Sequence, residues 1–185
     1  MNRAVKMIVV LTLISGIVGS LLALVYAATW PKIQENERKQ LERAVYEVLP
    51  GATRFEEVNQ NARTLFKGFD ENDNQVGTAM KAEGTGFQGI VSLMAGFTSD
   101  FKTMLGMKVL NQVETPGLGA KIVEDGFQSQ FADLDLSNKI AVVKGIPADK
   151  NKGEIQAITG ATISSDAVKN ILNTALDDVA VEGGR

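Results

Sequence analysis

The residues Ile158-Thr159-Gly160-Ala161-Thr162-Ile163-Ser164-Ser165 offer side-chain hydroxyls at the start of a helical pattern, in a chain with no histidine and no cysteine. A helix start presents unpaired backbone amides and the positive end of its dipole. Gly160 and Ala161 leave room for a phosphate to approach, and Thr162 supplies an oxygen that can become an ester. The chemistry this spacing supports is a phosphate held covalently at Thr162. The alternative is a turn and helix cap, where Thr, Gly and Ser recur for local hydrogen-bonding reasons, and on the tetrapeptide alone that reading is the simpler one. A P-loop is excluded, because the run has no Gly-Lys-Ser/Thr ending and no adjacent lysine.

A second constellation is Glu114-Thr115-Pro116-Gly117-Leu118-Gly119. Pro116 fixes its own φ and restricts Thr115, while Gly117 and Gly119 permit close approaches that side chains would block. A flat ligand could lie against such a loop. Standing alone, it reads more simply as an ordinary tight turn between a strand and a helix.

Composition limits what these residues can serve. The 185 residues are 44% hydrophobic and 22% charged, as in a globular domain of ordinary size. Without cysteine or histidine there is no disulfide framework, thiolate metal site or iron–sulfur cluster, and the commonest metal ligand and catalytic base are missing. We assign no metal ligands and no catalytic residue. Any redox chemistry must come from an organic cofactor. A net charge of −3 with 6% aromatics argues against nucleic acid, which requires a concentrated basic face.

The elements that must position these motifs begin with a membrane anchor. Residues 7–31 carry no charged side chain, and the apolar stretch 7–28 would span roughly 33 Å as a helix at about 1.5 Å per residue. Arg3, Lys6 and the terminal amine precede it. The positive-inside tendency therefore keeps the N-terminus cytoplasmic and exports the chain beyond Trp30. Tyr26 and Trp30 fall where an interfacial aromatic anchor belongs. A cleaved signal peptide is the rival, with small residues around Val25-Tyr26-Ala27, but the apolar run exceeds the roughly 7 to 15 residues of a signal core. A single span without an intramembrane charge is not an ion path by itself.

Residues 32–49 show a partial helical period ending at Pro50-Gly51, a stalk that continues the anchor. Short strands around a turn are expected over residues 54–74. Glycine-punctuated, half-buried strands come next over residues 75–110, the glycines marking bulges or the close approach of another backbone or a ligand. A short helix over 120–131 and a strand over 140–144 lead to a final helix carrying Val168, Ile171, Leu172, Ala175 and Val179. Ser164, Ser165 and Asp166 are its candidate caps. Without regular βαβ alternation, the fold class is α+β: a transmembrane helix followed by a mainly antiparallel sheet with flanking helices. The domains are residues 1–31 (cytoplasmic N-terminus and anchor), 32–50 (stalk) and 51–185.

Taken together, residues 114–122, Phe127 with Gln130-Phe131, residues 158–165 followed by Val168, and the N-terminal anchor resemble a known family. It is the FMN-binding domain shared by the G subunit of the Rnf electron-transport complex and the C subunit of the sodium-translocating NADH:quinone reductase. The modest length and single anchor are more similar to the Rnf protein. The resemblance implies that 51–185 is an FMN-binding domain and that Thr162 is esterified to the FMN phosphate by a separate magnesium-dependent flavin transferase, which uses FAD and releases AMP. It implies that the flavin ring lies near Thr115, Gly117, Leu118 and Gly119 with Glu114 close by. Thr159, Gly160, Ala161, Ser164 and Ser165 would serve the phosphate or ribityl chain. The family motif commonly has an aspartate six residues before the modified threonine, where this chain has Gln156.

The function so implied is a bacterial inner-membrane electron carrier, single-pass, with its FMN domain on the periplasmic or extracellular side. Its partners would be the other subunits of a complex that moves electrons between ferredoxin and NAD, coupled to sodium or proton translocation. Two alternatives stand beside it: a stand-alone extracytoplasmic FMN carrier for another respiratory chain, and a cofactor-free anchored assembly protein.

Overall fold

The structure is a computed structural model that describes residues 2–60 and 63–182. It contains two compact units, Met1–Gln40 and Leu41–Arg185. Helix α1, Arg3–Val48, runs unbroken through Pro31; its residues up to Gln40 make the first unit and residues 41–48 belong to the second. Leu11, Leu21 and Leu24 are among its many exposed apolar side chains, and among the described residues α1 alone is long and apolar enough to cross a membrane. Tyr26 and Trp30, one turn apart, stack at 5.2 Å between ring centroids.

The second unit is a six-stranded sheet in which every neighbour pair is antiparallel: β1 (Arg54–Gln60), β2 (Arg63–Phe69), β3 (Gln75–Thr85), β4 (Ile90–Phe97), β5 (Thr103–Asn111) and β6 (Leu134–Asp135), in chain order. Short connections between consecutive strands favour this meander from β2 to β5, whereas β6 is reached only after the segment 112–133. A parallel pair, β7 (Ala141–Val143) and β8 (Glu154–Gln156), stands apart from it. The expected helix over 120–131 is three short pieces instead: 3₁₀ turns at Gly119–Val123 and Ser129–Phe131 around α2, Asp125–Gln128. The final helix, α3, spans Thr162–Glu182.

Both faces of the sheet are covered, so β4 is buried without interruption from Val91 to Phe97. Val91, Leu93, Ala95 and Phe97 point into a core completed by Val168, Ile171, Leu172 and Ala175 of α3. Met94 points the other way, into a second cluster with Ala44, Val45, Val48 and Leu49 from the end of α1 and the residue after it. The seat for that helix end is made of glycine. Gly96 and Gly106 are partners across β4 and β5. A Cβ on Gly96 would lie 2.0 Å from the Val48 carbonyl oxygen, and one on Gly106 would lie 3.4 Å from Val48 Cα. Gly96 therefore combines both roles expected for strand glycines: the register shifts between Gly96 and Phe97, and the Val48 backbone approaches it.

Because the atom in the way is backbone, Gly96→Ala cannot be relieved by a rotamer change. Overpacking of this kind costs about 1–3 kcal/mol or more, which lowers the thermal midpoint of the detergent-solubilised chain by about 5 °C. Gly126→Ala is the control, since nothing lies within 4 Å of its added Cβ. Differential scanning fluorimetry of the two variants checks the contrast.

Candidate functional site

The site is assembled around Glu114, which lies just beyond β5 and is only 4% exposed. Its Oε1 accepts hydrogen bonds from the amides of Phe87 (2.7 Å) and Gln88 (3.1 Å) in the hairpin between β3 and β4. Its Oε2 accepts from the Ser164 hydroxyl at 2.5 Å. Its own amide donates to Gln112 Oε1. The hairpin is closed by Gly86 N donating to Gly89 O at 2.7 Å, and Phe87 at its tip is exposed.

Immediately after Glu114 the chain makes the glycine loop. The Thr115 carbonyl accepts from both Leu118 N and Ala120 N, and Gly117 takes φ +76°, a left-handed conformation with open space around it. Leu118 projects from the loop and is 47% exposed, whereas Gly119 is buried against Glu114. A Cβ at Gly160 would lie 3.3 Å from Leu118 Cδ2, so the glycine loop and the segment before α3 stand side by side.

That segment is a turn with the Ala161 amide donating to the Ile158 carbonyl at 3.0 Å and Gly160 at φ +81°, as the third residue of a type II turn requires. It delivers the chain into α3 at Thr162. The amides of Thr162, Ile163 and Ser164 precede the first helical bond, from Ser165 N to Ala161 O, and so form the anion-attracting end of the helix. The candidate caps Ser164, Ser165 and Asp166 accordingly lie inside the first turns. The two serine hydroxyls are committed elsewhere. Ser165 Oγ, fully buried, accepts from Ile158 N at 3.0 Å and donates to Ala161 O at 3.1 Å, while Ser164 Oγ is held by Glu114.

The residues singled out in the sequence thus fall into different places. Thr159 and Gly160 are exposed on the turn, Ala161 is 7% exposed beneath it, and Thr162 is half-buried at the helix start. Among the described residues none hydrogen-bonds the Thr162 hydroxyl, which distinguishes it from Ser164 and Ser165. Gln156 ends β8 with its side chain exposed, and its backbone is gripped by Gln130, whose Oε1 accepts from Gln156 N at 2.6 Å and whose Nε2 donates to Gln156 O at 3.3 Å. Sequence reasoning does not single out Phe87 or Gln88 as parts of this arrangement, nor Gln130 as the residue that grips Gln156. The signal for the first two is an aromatic between Gly86 and Gly89 at a hairpin tip.

These residues fit a tethered flavin phosphate. A hydroxyl without a hydrogen-bond partner among the described residues lies beside first-turn amides, Gly160 adds no side chain next to it, and exposed apolar groups (Phe87, Leu118 and Ile163) lie on the segments joined through Glu114.

The FMN-binding domain family matches residues 86–177, which begin at this hairpin and end in α3. The chain is 38% identical to the G subunit of the ion-translocating oxidoreductase complex of Methanosarcina acetivorans, over 97% of this chain and 96% of that protein. It is 31% identical to the G subunit of the proton-translocating ferredoxin:NAD(+) oxidoreductase complex of Clostridium ljungdahlii, over 94% and 90%. In fold it is similar to the crystal structure of Shewanella oneidensis NqrC, with a TM-score of 0.57 at 19% identity, over 66% of this chain and 64% of that one, so it spans just under two thirds of that structure.

The hydrogen-bond pattern separates the hydroxyls by substitution. Ser165→Ala leaves the Ile158 amide unpartnered and destabilises the protein by about 1–3 kcal/mol. Thr159→Ala, on the surface turn, stays within about 0.5 kcal/mol of the parent. Chemical denaturation of the detergent-solubilised chain measures both.

Proposed function

Since the chain belongs to the family of G subunits of ion-translocating oxidoreductase complexes, whose common element is the FMN-binding domain, we propose that it is a membrane-anchored electron carrier with FMN joined to Thr162 by a phosphoester. Residues 1–31 are then the N-terminus and anchor, 32–50 the stalk, and 51–185 the flavin domain. The protein is single-pass in the cell membrane. The two basic residues ahead of the apolar stretch favour a cytoplasmic N-terminus and an exported domain.

The flavin supplies the redox chemistry when bound: it takes electrons from one centre and passes them to the next. Everything else is the work of this chain. Thr162 offers the acceptor oxygen, which replaces AMP on the flavin phosphorus of FAD as the pyrophosphate bond breaks and the hydroxyl proton leaves. A separate flavin transferase catalyses that exchange. The first-turn amides of α3 would hold the phosphate, whose negative charge the dipole of the 21-residue helix would favour. Phe87, Leu118 and Ile163 supply apolar surface for the ring. A covalent link suits an exported carrier, because a flavin that dissociated on that side would be lost by dilution.

The other subunits of the complex are the electron partners, and the exposed side of the site is where they meet the ring. Names of relatives such as the Clostridium ljungdahlii protein support transfer between ferredoxin and NAD coupled to ion translocation. The single observation that carries the attachment site is the Thr162 hydroxyl, unpartnered among the described residues where its neighbours Ser164 and Ser165 are both engaged.

Expressed with a flavin transferase, the full chain should gain the mass of one FMN less one water and give a fluorescent band under ultraviolet light after denaturing electrophoresis. Thr162→Ala should abolish both signals and leave the thermal midpoint nearly unchanged, because that hydroxyl supports no hydrogen bond among the described residues. A band that persists in Thr162→Ala would move the attachment elsewhere. No band in the parent would reject covalent FMN.

A further inference from the structure

Glu114 is a buried carboxylate without a counter-ion: among the described residues no lysine or arginine pairs with it. Burying a charge is costly unless hydrogen bonds replace the lost water, and an apolar side chain of similar size would fill the space without that cost. Here the replacements come only from loop amides and one hydroxyl, drawn from segments 26, 27 and 50 residues away in the chain. The surroundings make room for it. A Cβ at Gly86 would lie 2.3 Å from Oε1, and one at Gly119 would lie 2.6 Å from Oε2. Two glycines on different loops thus give up their volume to one carboxylate.

Each segment tied to Glu114 carries groups of the site. The hairpin carries Phe87, the glycine loop carries Leu118, and the start of α3 carries Thr162 and Ile163. Among the described residues no backbone hydrogen bond joins the hairpin tip to either of the other two segments; the carboxylate makes that link. We infer that Glu114 is the positioning residue of the flavin site: it fixes the apolar walls relative to the tether oxygen without touching the flavin itself. The inference rests on the flavin reading above. It has a consequence peculiar to a covalently held cofactor. The phosphoester keeps the flavin on the chain whatever the walls do, so loosening the clamp frees the ring while the flavin stays attached.

Two measurements test this. The first is fluorescence anisotropy and iodide quenching of the flavin on the full, flavinylated chain in detergent. Glu114→Ala should lower the anisotropy and increase quenching at unchanged flavin mass. Glu114→Gln should stay close to the parent, because its Oε1 still accepts from Phe87 and Gln88 and its amide can donate to Ser164 Oγ. Ser164→Ala, which removes one arm and leaves the carboxylate solvated by the hairpin, should fall between them and covers the case in which Glu114→Ala does not fold. The second is hydrogen exchange on the chain expressed without transferase, which needs no flavin. In Glu114→Ala the Phe87 and Gln88 amides should exchange about tenfold to a hundredfold faster, with the β4 amides unchanged. An immobile, shielded ring in Glu114→Ala, or unchanged protection of Phe87 and Gln88, overturns the inference. A parent chain without flavin defeats the functional reading instead, and hydrogen exchange still decides the clamp.

Discussion

The carboxylate of Glu114 can remain buried only while Phe87, Gln88 and Ser164 supply the hydrogen bonds that water would otherwise make. That requirement propagates outward. It holds the β3–β4 hairpin tip against the start of α3, demands glycine at 86 and 119, and turns the Ser164 hydroxyl inward. Ser165 is drawn in by a second requirement, since the Ile158 amide ahead of the turn bonds to the Ser165 oxygen. With both serines consumed, the hydroxyl left without a hydrogen bond at the helix start, among the described residues, is that of Thr162.

The rest of the second unit makes this arrangement rigid. The sheet has a core on each face: α3 covers one side through Val168, Ile171 and Leu172, and the end of α1 covers the other through Val45 and Val48. The helix that carries Thr162 is therefore packed on the sheet whose β3–β4 hairpin carries Phe87. The end of α1 is seated on Gly96 and Gly106 of the same sheet. Gln128 adds a tie of its own, accepting from Val109 N and donating to Val123 O, which fastens β5 to the 3₁₀ turn after the glycine loop.

Much of this is legible in the sequence for identifiable reasons. The charge-free run 7–31 is long and unbroken, and the strands are marked by glycine and hydrophobic runs, so the anchor and the antiparallel sheet can be read directly. The family can be read from two motifs in order. Other features depend on contacts no local pattern records. The strand over 140–144 is marked in the sequence and appears as β7, but its three-residue partner β8 is too short to show a period, and their parallel pairing joins residues 13 apart. Ser164 and Ser165 are good caps by type, yet α3 starts ahead of them. The hydrogen bonds that turn them inward reach back to residues 114 and 158. At Gly96 the sequence allows a bulge or an approach site; the fold has a register shift there and also shows that Val48 is the group that approaches.

The central claim is that the oxygen carrying the flavin is Thr162 and no other hydroxyl in the 158–165 run. Peptide fragmentation of the flavinylated full-length chain addresses it directly. The account predicts that every flavin-bearing fragment places the phosphoester on Thr162. Flavin on Thr159, Ser164 or Ser165 would contradict it.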